Sequence, residues 1–239
     1  MKISFISRLL ALGTLSLAWA MPAMAKLHAK GVYVGTSFGV TQLSGKRTDL
    51  ISGIDQNTGL LTTYNVSSDQ RIKDTSLEAN VFIGGRFVPT NTPLALSLEG
   101  FFTYGPSEHT VFKDVNGQFT NQVATLKRGI GYGITARAGY IAHQQFMPYL
   151  LIGSRMDRFA YNSVDANAIN LTAKKFLVGS DFGGGIETCL GSLKTALEFK
   201  YTYYHRTVRS KVESTTGDFI TANARPRAAS LSLRFIHVF

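Results

Sequence analysis

At 239 residues, 44% of them hydrophobic and 17% charged, the chain is long enough for one domain with a full core. It is too apolar to be disordered and too often interrupted to hold a helical membrane span. The lone cysteine, Cys189, excludes an intrachain disulfide and any cysteine-based metal cluster, while 23 glycines and 11% aromatics point to β-structure.

Residues 1–25 read as an export signal. Lys2 and Arg8 precede the apolar run LLALGTLSLAWA, and the small-residue site Ala23-Met24-Ala25 follows. The run falls short of the roughly 20 residues that span a bilayer, so cleavage after Ala25 is expected rather than anchoring. Residues 26–239 then form one domain, and the surplus of +10 falls by two.

Eight segments follow in which every second side chain is apolar, the period of a strand. They lie near 31–43, 76–88, 95–105, 127–141, 148–160, 175–189, 194–206 and 227–239. The connections alternate: 44–75, 106–126, 161–174 and 207–226 are long or intermediate, whereas 89–94, 142–147 and 190–193 are short. An up-and-down barrel in an outer membrane has this rhythm, with short periplasmic turns and longer extracellular loops.

The two faces of each segment differ in kind. Leu77, Ala79, Val81, Ile83 and Phe87 oppose Glu78, Asn80 and Arg86; Ile130, Tyr132, Ile134, Ala136, Ala138 and Tyr140 oppose Gly131, Gly133, Thr135, Arg137 and Gly139. Leu197, Phe199, Tyr201 and Tyr203 oppose Glu198, Lys200 and Thr202, and the apolar faces are expected to be free of charge. Alternation alone does not say which face is inside. The polar face is rich in glycine and nearly balanced in charge, which suits a narrow membrane-barrel interior better than a wetted surface. Its acids are Glu78, Glu99, Asp157, Asp181, Glu187 and Glu198, and its bases Arg86, Arg137, Arg155, Lys200 and Arg234. The expected fold is all-β: an eight-stranded antiparallel up-and-down transmembrane barrel, with ten strands as the alternative should 44–75 hold two more.

The last segment, LSLRFIHVF, places Leu231, Leu233, Phe235 and Phe239 on alternate positions. This resembles the C-terminal signal read by the outer-membrane assembly machinery, with Phe239 as the terminal aromatic. His237 and Arg234 stand where that signal prefers an apolar residue and a glycine. Over residues 31–239, runs such as LEANVFIGGRF, ITARAGY, MPYLLIGSRM and LEFKYTYY make the chain similar to the OmpA-like and opacity-type superfamily of small outer-membrane barrels. The resemblance implies architecture and a cell outer-membrane location; it leaves chemistry open.

Catalytic, metal and cofactor sites are not expected. Gly129, Gly131 and Gly133, and Gly183-Gly184-Gly185, lack the following helix and the Gly-Lys-Ser/Thr ending of a phosphate loop. His28, His109, His143, His205 and His237 are scattered. Some eight-stranded barrels modify lipid A with a paired histidine and serine, and His205 with Ser210 is the nearest candidate. Three long loops carry related tips at 57–62, 116–120 and 216–221, read either as hairpin turns that extend the barrel above the membrane or as recurrent threonine-rich loop composition.

Basic residues gather where strands meet the long loops: Lys46, Arg47, Arg71, Lys73, Lys127, Arg128, Lys174, Lys175, Arg206, Arg209, Lys211, Arg225 and Arg227. The three short turns hold no lysine, arginine or acid. The expected partners are outer-membrane lipid and the phosphates of lipopolysaccharide, with a host or surface ligand at the loops and no nucleic acid; the alternative reading of these bases is gatekeeper charges at solvent-exposed strand ends with no bound lipid. Two function classes remain. One is a non-enzymatic surface barrel serving membrane structure, adhesion or host contact; the other is a narrow pore or a transport barrel for hydrophobic ligands.

Overall fold

The computed structural model describes residues 30–54, 61–66, 71–113, 123–142, 146–164, 170–190, 193–213 and 219–239; at the outermost strand ends it describes the backbone alone. The segment expected to be an export signal lies outside these residues. The strands are β1 (Gly31–Ile54), β2 (Leu61–Val66), β3 (Arg71–Phe87), β4 (Leu94–Lys113), β5 (Val123–Tyr140), β6 (Phe146–Val164), β7 (Asn170–Leu190), β8 (Leu193–Tyr204), β9 (Val208–Glu213) and β10 (Phe219–Val238).

Eight of these close into a ring in the order β1-β3-β4-β5-β6-β7-β8-β10, and β10 returns to β1 in antiparallel register from Tyr33↔Val238 to Ser52↔Phe219. The other two do not join the ring. Strand β2 pairs with the upper end of β1, from Asp49↔Val66 to Ile54↔Leu61, and β9 pairs with the upper end of β10. Neither crosses the apolar belt, so the barrel has eight strands and the ten-strand alternative falls.

The outward face is apolar. Phe38, Leu77, Val81, Ile83, Leu98, Ile134, Leu150, Ile152, Leu197, Phe199, Leu231 and Leu233 are all exposed, Leu150 by 73%. A surface of this extent has no place in water, and it fits the outward band of a barrel in lipid. Aromatic side chains edge the band: Phe87, Tyr140, Phe146 and Phe239 near the short turns, Tyr104, Tyr132 and Phe176 near the long loops. The Tyr132 ring of β5 and the Phe176 ring of β7 lie 6.2 Å apart, reaching across the outer face of β6.

Most ring strands are much longer than the roughly 9–11 residues that cross a membrane. The surplus lies on the long-loop side, where β-pairing continues beyond the segments legible in the sequence. The ladders reach Lys113↔Val123, Val123↔Val164 and Val164↔Asn170, so β4 to β7 rise together as one sheet. Strands β2, β1, β10 and β9 form another. Between them, the β3–β4 ladder ends at Ala79↔Tyr104 and the β7–β8 ladder at Gly179↔Tyr204. Pro106 stands just past the first of these ends, within a register shift between Tyr104 and Ser107; a residue with no N–H ends pairing there. The stems of the expected loop hairpins are thus present at Ile54↔Leu61, Lys113↔Val123 and Phe219↔Glu213, whereas most of each tip lies outside the described residues.

Candidate functional site

The inward face of the barrel carries stacked ionic layers. Nearest the outside, Arg128 of β5 bridges Glu78 of β3 at 2.9 Å and Asp157 of β6 at 3.0 Å, and Arg155 reaches Asp157 at 3.1 Å. Thr41 Oγ1 donates to Glu78 at 3.0 Å, and the Tyr204 hydroxyl donates to Asp157. At mid-depth two acids and two arginines alternate. Arg137 contacts Glu99 at 2.7 Å and Glu198 at 3.1 Å, while Arg234 contacts the same acids at 2.5 and 3.0 Å. The Tyr33 hydroxyl donates to Glu99 and that of Tyr149 to Glu198, at 3.3 and 3.0 Å. Nearest the periplasm, Arg86 holds Glu187 with two parallel hydrogen bonds of 2.7 and 2.6 Å. To one side, Lys200 Nζ lies 4.0 Å from Asp181, which also accepts from Thr202.

These groups come together because each strand turns every second side chain inward, and glycines leave them room. A side chain at Gly131 would occupy the space of the Asp157 carboxylate and press on Thr103. Apolar clusters cap both ends of the ionic column. Leu43, Leu126, Phe159, Leu177, Val208 and Ala228 pack above it, and Ala95, Ile141, Met147, Leu151 and Ala196 below. Such a lumen is filled by side chains, as an eight-stranded barrel's dimensions require.

All eleven lumen charges expected from the sequence point inward: Glu78, Arg86, Glu99, Arg137, Arg155, Asp157, Asp181, Glu187, Glu198, Lys200 and Arg234. The structure adds two more bases, Arg128 and Lys194, both buried, and the hydroxyls of Tyr33, Tyr149 and Tyr204. Lys194 shares the parity of Glu198 and Lys200 on β8, so the sequence pattern contained it. Arg128 did not show itself this way.

Arg128 is a correction. The sequence places it in the basic collar at the rim, yet it is 2% exposed inside the barrel. A register shift between Arg128 and Gly131 in the β5–β6 ladder changes the parity of the strand, turning Leu126 and Arg128 inward. A second correction concerns the outer face, which carries exposed Arg158 and Arg227 near its upper border and so is not free of charge.

Of the other collar residues, Lys73, Lys174, Lys175, Arg206, Arg225 and Arg227 are exposed, and Lys127 pairs with Glu108 at 2.9 Å. The side chains of Lys46, Arg47, Arg71, Arg209 and Lys211 lie outside the described residues. Arg225 and Arg227 both lie over the Tyr203 ring, 4.8 and 5.7 Å from its centre. His205 is brought not to Ser210, whose side chain is not described, but to Ser180, with Nε2 2.9 Å from the hydroxyl on the exposed outer wall. Among the described residues no carboxylate orients that imidazole, and no group of three or more His, Cys, Asp or Glu could hold a metal.

The family described as outer membrane protein beta-barrel domain matches residues 9–235. The chain belongs to that family. The chain is also similar to solved structures at low sequence identity. The outer membrane protein AlkL, determined in lipid bilayers, is 14% identical with a TM-score of 0.50, covering 92% of this chain and 96% of that one. The outer membrane protease OmpT from Escherichia coli is 9% identical with a TM-score of 0.45, covering 91% and 100%. The attachment invasion locus protein of Yersinia pestis, in complex with the heparin analogue sucrose octasulfate, is 11% identical with a TM-score of 0.37, covering 84% and 99%. A search of the curated proteins finds no match.

Proposed function

We propose that this outer-membrane barrel is a non-enzymatic surface protein, whose closed barrel anchors extracellular β-sheets for adhesion or host contact. The carrying observation is the filled lumen: the ionic layers and their apolar caps occupy the path a solute would take. The strands meanwhile continue outward as two sheets, so the structured surface lies where a partner outside the cell would meet it. The exposed bases Lys73, Lys174, Lys175, Arg206, Arg225 and Arg227 sit at that border, where lipopolysaccharide phosphates would pair with them. Phe239, outward-facing and joined through its N–H to the Val32 carbonyl at 3.0 Å, together with Phe235 presents the strand end that the assembly machinery reads.

The test has two arms. The refolded protein in planar bilayers is expected to carry no sustained current. Cells displaying it are expected to bind host cells or surface polymers, and to lose that binding when 55–60 and 114–122 are replaced by Gly-Ser linkers while the barrel still folds. Steady conductance with binding unaltered would overturn the proposal.

One observation favours a second reading, a transport barrel for apolar ligands. The cluster of Leu43, Leu126, Phe159, Leu177 and Val208 forms an apolar layer at the outer end of the lumen, directly above charged groups. An apolar solute entering there could not pass the ions and would have to leave sideways into the bilayer. Faster uptake of such a solute into vesicles containing the protein would favour this reading over the first.

A further inference from the structure

The charges of the lumen balance layer by layer, with one exception. Glu78 and Asp157 meet Arg128 and Arg155; Glu99 and Glu198 meet Arg137 and Arg234; Asp181 meets Lys200. In the layer nearest the periplasm, Glu187 pairs with Arg86, and Lys194 adds a second cation within one register step of it. The register explains their proximity. Glu187 stands opposite Ala196 and Cys189 opposite Lys194 in the β7–β8 ladder, so Lys194 projects inward one step below the Arg86–Glu187 pair.

Lys194 is 1% exposed, and its ammonium has no hydrogen-bond partner among the described residues. Arg86 is also incomplete: both terminal nitrogens are taken by Glu187, while its buried Nε is unpartnered. Two buried cationic donors therefore lack an acceptor in the one layer that carries a surplus positive charge. A buried charge without a partner is strongly unfavourable, and an anion between these two donors would accept from both and offset the surplus charge.

We propose that the periplasmic end of the lumen is a binding site for a small monovalent anion, chloride in the cell, held between Lys194 Nζ and Arg86 Nε. The chemistry of the donors selects the ligand. A phosphate or carboxylate is best satisfied by a guanidinium fork, and the fork of Arg86 is already committed to Glu187. What remains is one N–H and one ammonium, which suit a spherical ion accepting from separate directions. The apolar surroundings of Ile141, Met147 and Ala196, with Val88 and Cys189 packed against them, favour an ion that gives up its water readily. The anion sits under the ionic column and adds to its closure, so the site does not depend on what the extracellular sheets bind.

The experiment is crystallisation of the refolded mature barrel from sodium bromide, with anomalous diffraction locating the halide. A bromide peak within hydrogen-bonding distance of Lys194 Nζ and Arg86 Nε is expected. In parallel, the unfolding midpoint is measured at constant ionic strength as chloride replaces gluconate, which is too large to enter, and separately as phosphate or acetate replaces it. Above the dissociation constant, each tenfold rise in chloride should multiply the folded-to-unfolded ratio about tenfold, with phosphate and acetate ineffective. Lys194→Met should remove both the peak and the chloride dependence; should that variant not fold, the wild-type measurements decide alone. No halide density at Lys194 and equal midpoints in chloride and gluconate would overturn the site. Stabilisation by acetate or phosphate instead of chloride would refute the assignment to a spherical ion.

Discussion

Arg137→Ala isolates what the mid-depth layer contributes. Arg137 bonds both Glu99 and Glu198, and its guanidinium lies 5.9 Å from the centre of the Tyr149 ring. Removing it leaves two carboxylates against Arg234 alone, in a layer where both acids are at most 3% exposed. The Tyr33 and Tyr149 hydroxyls continue to donate to the acids but cannot neutralise them. A buried pair broken on one side costs about 3–5 kcal/mol. Because Arg234 still contacts both acids, the lower half of that range is expected, about 3 kcal/mol. Glu198→Gln combined with Arg137→Ala restores neutrality, so the double variant should recover much of the loss, with a coupling of about 1–3 kcal/mol. Urea unfolding in lipid vesicles, followed by heat-dependent gel migration, measures both. A single variant within about 0.5 kcal/mol of the parent, the scatter of ordinary surface substitutions, would refute the reasoning. So would a double variant no better than the sum of its parts.

Three further expectations follow from particular residues. Gly131→Ala should destabilise the barrel by about 1–3 kcal/mol in the same assay, because its methyl group displaces the Asp157 carboxylate from Arg128 and Arg155. Ile134→Arg, on the lipid face between Tyr132 and Tyr140, should cost about 2–4 kcal/mol in bilayers, whereas a charge at exposed Thr75 near the upper rim should cost about 0–1. Reversing Lys174, Lys175, Arg225 and Arg227 to glutamate should weaken lipopolysaccharide binding in low salt, the difference shrinking as salt rises; Arg128→Glu should instead impair folding, since that side chain faces Glu78 and Asp157.

Strand period, loop rhythm and face composition are local properties, which is why the eight strands, their order and the inward parity of Glu99, Arg137, Glu198 and Arg234 were legible in the chain. The belt was legible for the same reason: lipid contact imposes apolar residues at every second position of each crossing. Above the belt that constraint stops. Water tolerates any side chain there, so the continuation of β1 to Ile54 or of β4 to Lys113 left no period to read and depended on backbone pairing between strands. Partner choice inside the lumen is likewise tertiary. Parity shows that Arg86 and Glu187 point inward, but only closure of the ring brings together residues 101 apart in sequence. Arg128 marks the limit most clearly. One register shift in the β5–β6 ladder reverses its face, and no pattern within β5 carries that information, because a bulge is a property of two paired strands. The surplus cation of Lys194 belongs to the same class: its charge is in the sequence, while its lack of a partner is a fact of the folded barrel.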